Sequence, residues 1–297
     1  MKSKFRSNNN SLTYTVKEHT ELLPFLLEVM HNRSRNSVKS ILTRGQITVD
    51  DHIETKHNYP LKPGQQVIVL KNKAAIKQDQ LIGMSIIFED KDIIVINKEA
   101  GLLSIATKKE KQQTVHHQLM EYVRQQDPQN RVFVVHRLDK ETSGVMMFAK
   151  NEKTKRQLQD KWKDIVKERT YVALVEGKVT KPSGRIASWL KETKTHLMYS
   201  SPDKNGQHAV THYKVLQSNN EFSLLEVQLE TGRKNQIRVH MKDLGHPIVG
   251  DKKYGANGNP IGRLGLHAKV LSFNHPTTGQ LLLFKADVPR SFYNKSK

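Results

Sequence analysis

The stretch that decides the reading is His136 to Gly144, HRLDKETSG. An apolar run, Val132 to Val135, leads into it and a second, Val145 to Ala149, leaves it, so the pattern predicts two strands bracketing a polar loop. In that loop Asp139 follows His136 and Arg137, and Lys140 separates it from Glu141. A carboxylate in a positive field is favoured in its ionised form, which suits a nucleophile or a base. Gly144 is read as permitting a sharp turn, with the Thr142 and Ser143 hydroxyls tying loop amides. A protein-kinase catalytic loop also holds His, Arg and Asp, but here Leu138 intervenes and neither a Gly-rich loop nor a DFG triplet follows. A solvated turn with a structural Arg-Asp pair accounts for a short string and leaves the later motifs unexplained.

A chain of 297 residues is long enough for one large domain and one small one. Lys and Arg total 49 against 29 Asp and Glu, and the resulting +20 calls for a polyanionic partner, nucleic acid first. Residues 1 to 80 hold 13 basic and 7 acidic residues, so the excess is spread over both parts of the chain. The absence of cysteine excludes disulfides, thiolate catalysis and Cys-based zinc sites. No apolar run approaches the roughly 18 residues that span a bilayer, and MKSKFRSNNNS lacks an apolar signal segment. A soluble, cytoplasmic, monomeric protein without membrane contact is the expectation.

Residues 1 to 11 read as a frayed polar tail. From Thr13 onward, Leu22, Leu23, Phe25, Leu26 and Met30 fall at helical spacing. A second short helix around Val38, Ile41 and Leu42 is capped by Ser34 to Asn36 and closed by Gly45. QITVDD alternates as a strand, and Leu61 to Leu70 adds another after a Pro63-Gly64 turn. Residues 72 to 80 are charged and lack an apolar stripe, as a linker would. Beyond them, Val115, Leu119, Tyr122 and Val123 predict a core-packing helix. His116 and His117 have no third ligand at a sensible offset, so no metal site is expected. Asn151 caps a helix with Leu158, Trp162 and Ile165 inward. Residues 181 to 206 are turn-rich and basic, with Trp189 and Tyr199 interleaved. His208 to Leu216 and Phe222 to Leu229 form an antiparallel pair, and Ile237, Met241 and Leu244 mark a helix that leaves Arg238 on another face. GANGNPIG at 255 to 262 lacks the strand-to-helix context of a nucleotide loop and reads as a flexible loop. Alternating strands through residues 131 to 285, with few helices between them, point away from a doubly wound parallel fold and toward α+β.

HRLDKETSG matches the HRLDxxTSG signature of the RluA-type RNA pseudouridine synthases at every fixed position, and the chain resembles that family from about residue 13 to 290. IIFEDKDIIVINKEAGLLS resembles its first motif, with Glu99 where proline is usual. YVALVEG resembles its second, and ETGRKNQIRVHMKDLG resembles GRxHQIRxH with Asn235 in place of histidine. HPIVGDKKYG, LGLHAKVLSF and HPTTG follow in family order. The resemblance implies a mixed, largely antiparallel catalytic domain over residues 81 to 292, with a central cleft. It also implies isomerisation of uridine in RNA, without cofactor or metal, by Asp139, with Tyr171 against the uracil and Arg238 paired to Asp139. Arg137, His136, Arg233 and Lys98 are then the substrate-binding candidates.

SRNSVKSILTRGQITVDD followed by LKPGQQVIVL resembles the α-L RNA-binding module, expected over residues 13 to 71, with Asp51-His52 where that module has an Asn-Gly turn. The matching phosphate-contacting candidates are Arg33, Arg35, Lys39 and Arg44. By analogy the partner is ribosomal RNA ahead of tRNA. The rival expectation is a non-catalytic RNA-binding ribosome-assembly protein, which has no need of Asp139, Tyr171 and Arg238 together.

Overall fold

The run that follows HRLDKETSG becomes an interior strand in the larger of two units. The computed structural model describes residues 11–43, 45–50, 52–70, 81–107 and 110–297, so the expected linker at 72 to 80 and Arg44 lie outside the described residues. The chain divides into residues 1–77 and 78–297.

In the first unit the elements run β1 (Ser11–Thr15), β2 (Thr20–Glu21), α1 (Leu22–Val29), α2 (Arg35–Thr43), β3 (Ile47–Val49), β4 (His52–Ile53), β5 (Pro60–Leu61) and β6 (Gln66–Leu70). The order β1-β6-β3-β4 makes a small antiparallel sheet. Leu22, Leu26, Val38, Leu42, Ile47 and Val67 share one core, so both helices bury their apolar stripes together with this sheet. Ser34 Oγ accepts from the Ser37 amide at the start of α2. Strand β1 begins at Ser11, inside the stretch that composition assigns to a tail, because its pairing with β6 is long-range and leaves no local signal.

The second unit runs β7 (Met84–Glu89), β8 (Ile93–Lys98), α3 (Val115–Gln126), β9 (Phe133–Val134), β10 (Ser143–Ala149), α4 (Glu152–Asp160) and α5 (Trp162–Ile165). It continues β11 (Val166–Glu176), β12 (Ser183–Glu192), β13 (Met198–Ser201), β14 (Gln207–Ser218), β15 (Phe222–Leu229), α6 (Gln236–Asp243), β16 (Leu266–Asn274), β17 (Leu281–Lys285) and α7 (Arg290–Ser296). One sheet runs β13-β12-β14-β15-β11-β16-β10-β8-β7, with β9 beside β10 and β17 beside β16. It is an α+β architecture in which β10 with β16 is the one parallel pair among the described strands. Every residue of β10 is buried, as an unbroken apolar run covered on both faces must be. Helix α6 packs Ile237 and Met241 on Ala173, Val175 and Val227, while α7 places Phe292 with Val172, Leu174 and Leu224, the alternate residues of the same strands.

Gly144 departs from its turn reading. It lies in β10 at φ +113°, and a Cβ there would sit 2.1 Å from the Ala268 carbonyl oxygen of β16. The glycine is required by backbone proximity as well as by φ. The Ser143 hydroxyl, expected on a loop amide, instead meets His267 Nδ1 and the Arg263 guanidinium, both at 2.7 Å. The helix capped by Asn151 stops at Asp160, and Trp162 begins a separate turn. Residues 183–192 form a ten-residue strand in place of turns, since small and basic residues on a strand near the sheet edge hide its alternation. The loop at 255–262 is tied down: the Glu176 carboxylate accepts from the Asn257 and Gly258 amides at 2.9 and 3.1 Å. No helix among the described residues is long and apolar enough to cross a membrane.

Gly144→Ala should therefore destabilise the larger unit by about 3 kcal/mol or more, since backbone rather than a movable side chain blocks the methyl. Urea unfolding followed by circular dichroism reads this, and an unchanged midpoint contradicts the close approach.

Candidate active site

The sheet brings the site residues into line. Gly144 pairs with Ala268, Ala268 with Tyr171, and Tyr171 with Val227, so four strands meet in one row. Between Thr170 and Tyr171 the register shifts because β16 takes up Lys269 as an extra residue, a bulge of the kind found beside functional sites. Above the row opens a cleft of about 870 Å³, lined by Arg137, Asp139, Trp162, Tyr171, Arg233 and Arg238 among others. This is ample for a ligand of nucleotide size.

The Asp139 loop is pinned from the KEAGLLS segment. Lys98, fully buried, donates from Nζ to the carbonyls of Glu99, Leu102 and Lys140 at 2.9, 2.7 and 2.9 Å. Ser104 Oγ donates to the Leu138 carbonyl at 2.6 Å, and the Gly101 amide donates to the Lys140 carbonyl. Burial pushes the Lys98 pKa down to about 8. An ammonium with no exposed surface cannot meet an RNA phosphate, so Lys98 buttresses the loop and is withdrawn from the substrate contacts. His136 is partly exposed on the cleft lining but carries no charge there. Its Nε2 accepts from the Met147 amide at 3.1 Å, its ring lies 5.2 Å from Trp162, and burial, aided by Arg169, lowers its pKa to about 4. It adds no positive charge beside Asp139 at neutral pH. Trp162, expected in the core, half-faces the cleft.

Arg238 reaches Asp139 with one nitrogen at 3.3 Å, and the Asp139 side chain stays 42% exposed to the cleft. Its tighter partner is Asp251, which receives two parallel bonds of 2.7 Å from Nε and Nη2 and is itself buried. The Tyr254 ring lies 4.8 Å under the guanidinium, and Asn235 Oδ1 accepts from Nη1 while its amide donates to the Tyr254 hydroxyl at 3.0 Å. Burial works against the charge on Arg238, yet Asp251, with Asp139 behind it, keeps its pKa above the ordinary value. Asp251 and Tyr254 escape sequence reasoning although GDKKYG is visible, because no periodicity links them to a helix 13 residues upstream. Tyr171 is half-buried on the cleft wall, and desolvation raises its pKa.

Of the other expected residues, Arg137 is exposed at the cleft, and Arg233 is exposed there with Nε on the His208 carbonyl. Arg33, Arg35 and Lys39 are exposed on the first unit. Among the described residues no cluster of His, Asp and Glu is arranged to hold a metal ion.

Residues 92–243 match the family described as RNA pseudouridylate synthase. The chain belongs to the RluA-type RNA pseudouridine synthases. It is 34% identical over 95% of its length to an RNA pseudouridine synthase of Bacillus subtilis strain 168, YlyB, of which it covers 95%. It is 35% identical over 94% of its length to the ribosomal large subunit pseudouridine synthase D of Vibrio cholerae, covering 91% of that protein. The structure of human RNA pseudouridylate synthase domain containing 4 superposes with a TM-score of 0.57 at 27% identity, covering 70% of this chain and 90% of the human one. As a pseudouridine synthase the protein is an isomerase that acts on RNA.

Two measurements follow from this geometry. Asp251→Asn keeps the volume but removes the charge that fixes Arg238, and should lower kcat for pseudouridine formation about 100-fold with KM within a few-fold, the cost of a misplaced group. A kcat within twofold of the parent contradicts the clamp. His240 and His267, both buried, have pKa values pushed down to about 4 by desolvation. The unfolded chain then binds protons before the folded one, so stability is complete above the ordinary imidazole pKa and is lost as pH falls from about 6.5 toward 4. Urea titrations across this window should show the decline, and His267→Asn should make it shallower, with His240 and His136 still contributing.

Proposed function

We propose that this synthase converts uridine in large-subunit ribosomal RNA to pseudouridine, with Asp139 as the nucleophile or base. The observation that supports this most is the pairing of two opposite needs at one carboxylate. Asp139 is held 3.3 Å from a guanidinium, yet two fifths of its side chain is open to a cleft of nucleotide size. A uridine stacked in a helix is out of reach, so the base is extruded into the cleft before reaction.

The isomerisation breaks C1'–N1, turns the bound uracil and joins C5 to C1', with the C5 proton lost and a proton gained at N1. Asp139 supplies the attacking or proton-accepting oxygen. Because Asp251 already neutralises most of Arg238, Asp139 is free to leave its weak 3.3 Å contact without stranding a buried cation. Tyr171 packs against the uracil; burial keeps its phenol protonated, which suits a platform better than a base. Arg137, exposed at the cleft, fills the place the base leaves. Ribosomal RNA is favoured by the similarity to the Vibrio protein and by the exposed Arg33, Arg35 and Lys39, which match the phosphate-contacting face of an α-L module.

Chemical mapping of pseudouridine in total RNA from cells with and without the gene is the test. The expected result is loss of one or a few large-subunit sites, restored by the parent gene and left unrestored by Asp139→Asn. Restoration by Asp139→Asn refutes the assignment, and loss confined to tRNA refutes the substrate.

A further inference from the structure

The cleft holds a cation that the catalytic reading leaves unused. Arg169 lies on β11 two residues before Tyr171, half-buried in the same cleft wall as Asp139. Its Nη2 donates to the carbonyls of Leu229 and Glu230 at 3.2 and 3.3 Å. No carboxylate among the described residues lies within ion-pair distance of it. Glu168 next to it is bonded by the Thr170 hydroxyl, and the Glu230 side chain by His212. Asp160 and Asp164 also line the cleft but are exposed at its surface. Arg238, the other cation withdrawn into this cleft, has Asp251 and Asp139. Two features make Arg169 a built position and not a stray side chain. Trp162 supports the guanidinium from 5.9 Å, within cation–π range. Gly232 makes room for it: a Cβ at 232 would sit 2.6 Å from Nη1, so a larger residue there would push the guanidinium tip out of this position.

A guanidinium drawn out of water without a counter-ion is costly, and it gains most from an anion that arrives with the substrate. In RNA that anion is the phosphodiester, whose paired oxygens fit the planar fork. We propose that Arg169, supported by Trp162 and given room by Gly232, is a phosphate-binding subsite of the cleft that holds a phosphodiester next to the extruded uridine. The subsite rests on the reading of Asp139 as the reacting carboxylate. It acts on binding and registration of the RNA and leaves the chemistry to Asp139.

The test uses the full chain and the RNA that the parent protein modifies, transcribed in vitro. If no RNA is modified, or if Asp139→Asn remains active, the functional reading itself fails and is seen to fail separately. Arg169→Met should raise KM about tenfold with kcat within threefold, as loss of one charge-assisted contact does. In the Asp139→Asn background, the plot of log affinity against log salt should become shallower by about 0.7, the share of one phosphate on a single strand. Gly232→Ala, which keeps Arg169 but crowds its guanidinium, should raise KM in the same way. Arg169→Lys, which keeps the charge and most of the stem, should hold the salt slope with a smaller rise in KM, and it decides the matter if Arg169→Met does not fold. An unchanged salt slope in Arg169→Met, a loss of kcat at constant KM, or a lysine variant with the parent KM overturns the subsite.

Discussion

The contact on which the site depends is the approach of β10 to β16, where Gly144 meets the Ala268 backbone more closely than any side chain permits. It is the parallel pairing in an otherwise antiparallel sheet, and parallel neighbours cannot be joined by a hairpin. The chain leaves along β10 and returns beside it only after β11 to β15 and α6 have been made, so Ser143 meets His267 across 124 positions. Tyr171, Arg238 and Asp251 all lie in that excursion. Closing it is what brings Arg238 to Asp139, 99 residues earlier. The loop-closure entropy is therefore concentrated in one crossing, and the fully buried β10 and its neighbours supply the apolar area that offsets it.

Three of the withdrawn cations near the Asp139 loop are satisfied in different ways. Lys98 is held by three carbonyls, which are neutral, so its charge can be buried without competing for a carboxylate. Arg238 is held by Asp251 in a fork-to-fork pair, which leaves its link to Asp139 long and single. Arg169 keeps only carbonyl partners on the cleft side. The division matters because a carboxylate locked in a short bidentate pair would be a poor nucleophile, whereas one that borrows a fixed field keeps its reach. Asp251 thus fixes the position of Arg238, and the Asp139 carboxylate stays open to the cleft.

Local order was legible in the sequence wherever one face or one run was apolar. The strands around HRLDKETSG, the β14–β15 hairpin and the stripe of α6 all follow from periodicity. What escaped depends on contacts distant along the chain. Gly144 reads as a turn because turns are the common use of glycine, and nothing local reports the Ala268 carbonyl. Lys98 reads as a substrate-binding candidate because a lysine cation suits phosphate, and three converging carbonyls have no sequence pattern. Asp139, Tyr171 and Arg238 were selected by resemblance, while Asp251, Arg169 and Trp162 required coordinates. Strand β12, next to the edge, was hidden for a different reason: beside small Ala187 only Ile186, Trp189 and Leu190 carry apolar signal, among serine, glycine and charged residues.

The two departures from the family pattern are absorbed by the scaffold. At position 99, glutamate in place of proline restores a backbone amide, and that amide donates to the Gly83 carbonyl at 2.8 Å. The lost ring constraint is replaced by a hydrogen bond on the segment that carries Lys98, Gly101 and Ser104 to the Asp139 loop. At position 235, asparagine adopts φ +53°, a left-handed conformation that its short polar side chain tolerates. Both ends of its amide are used, one toward Arg238 and one toward Tyr254. A residue that accepts from the guanidinium and donates to the phenol supports the same cage that Asp251 closes from the other side. Both departures therefore alter how Arg238 and the loop are propped, and neither touches the carboxylate that faces the cleft.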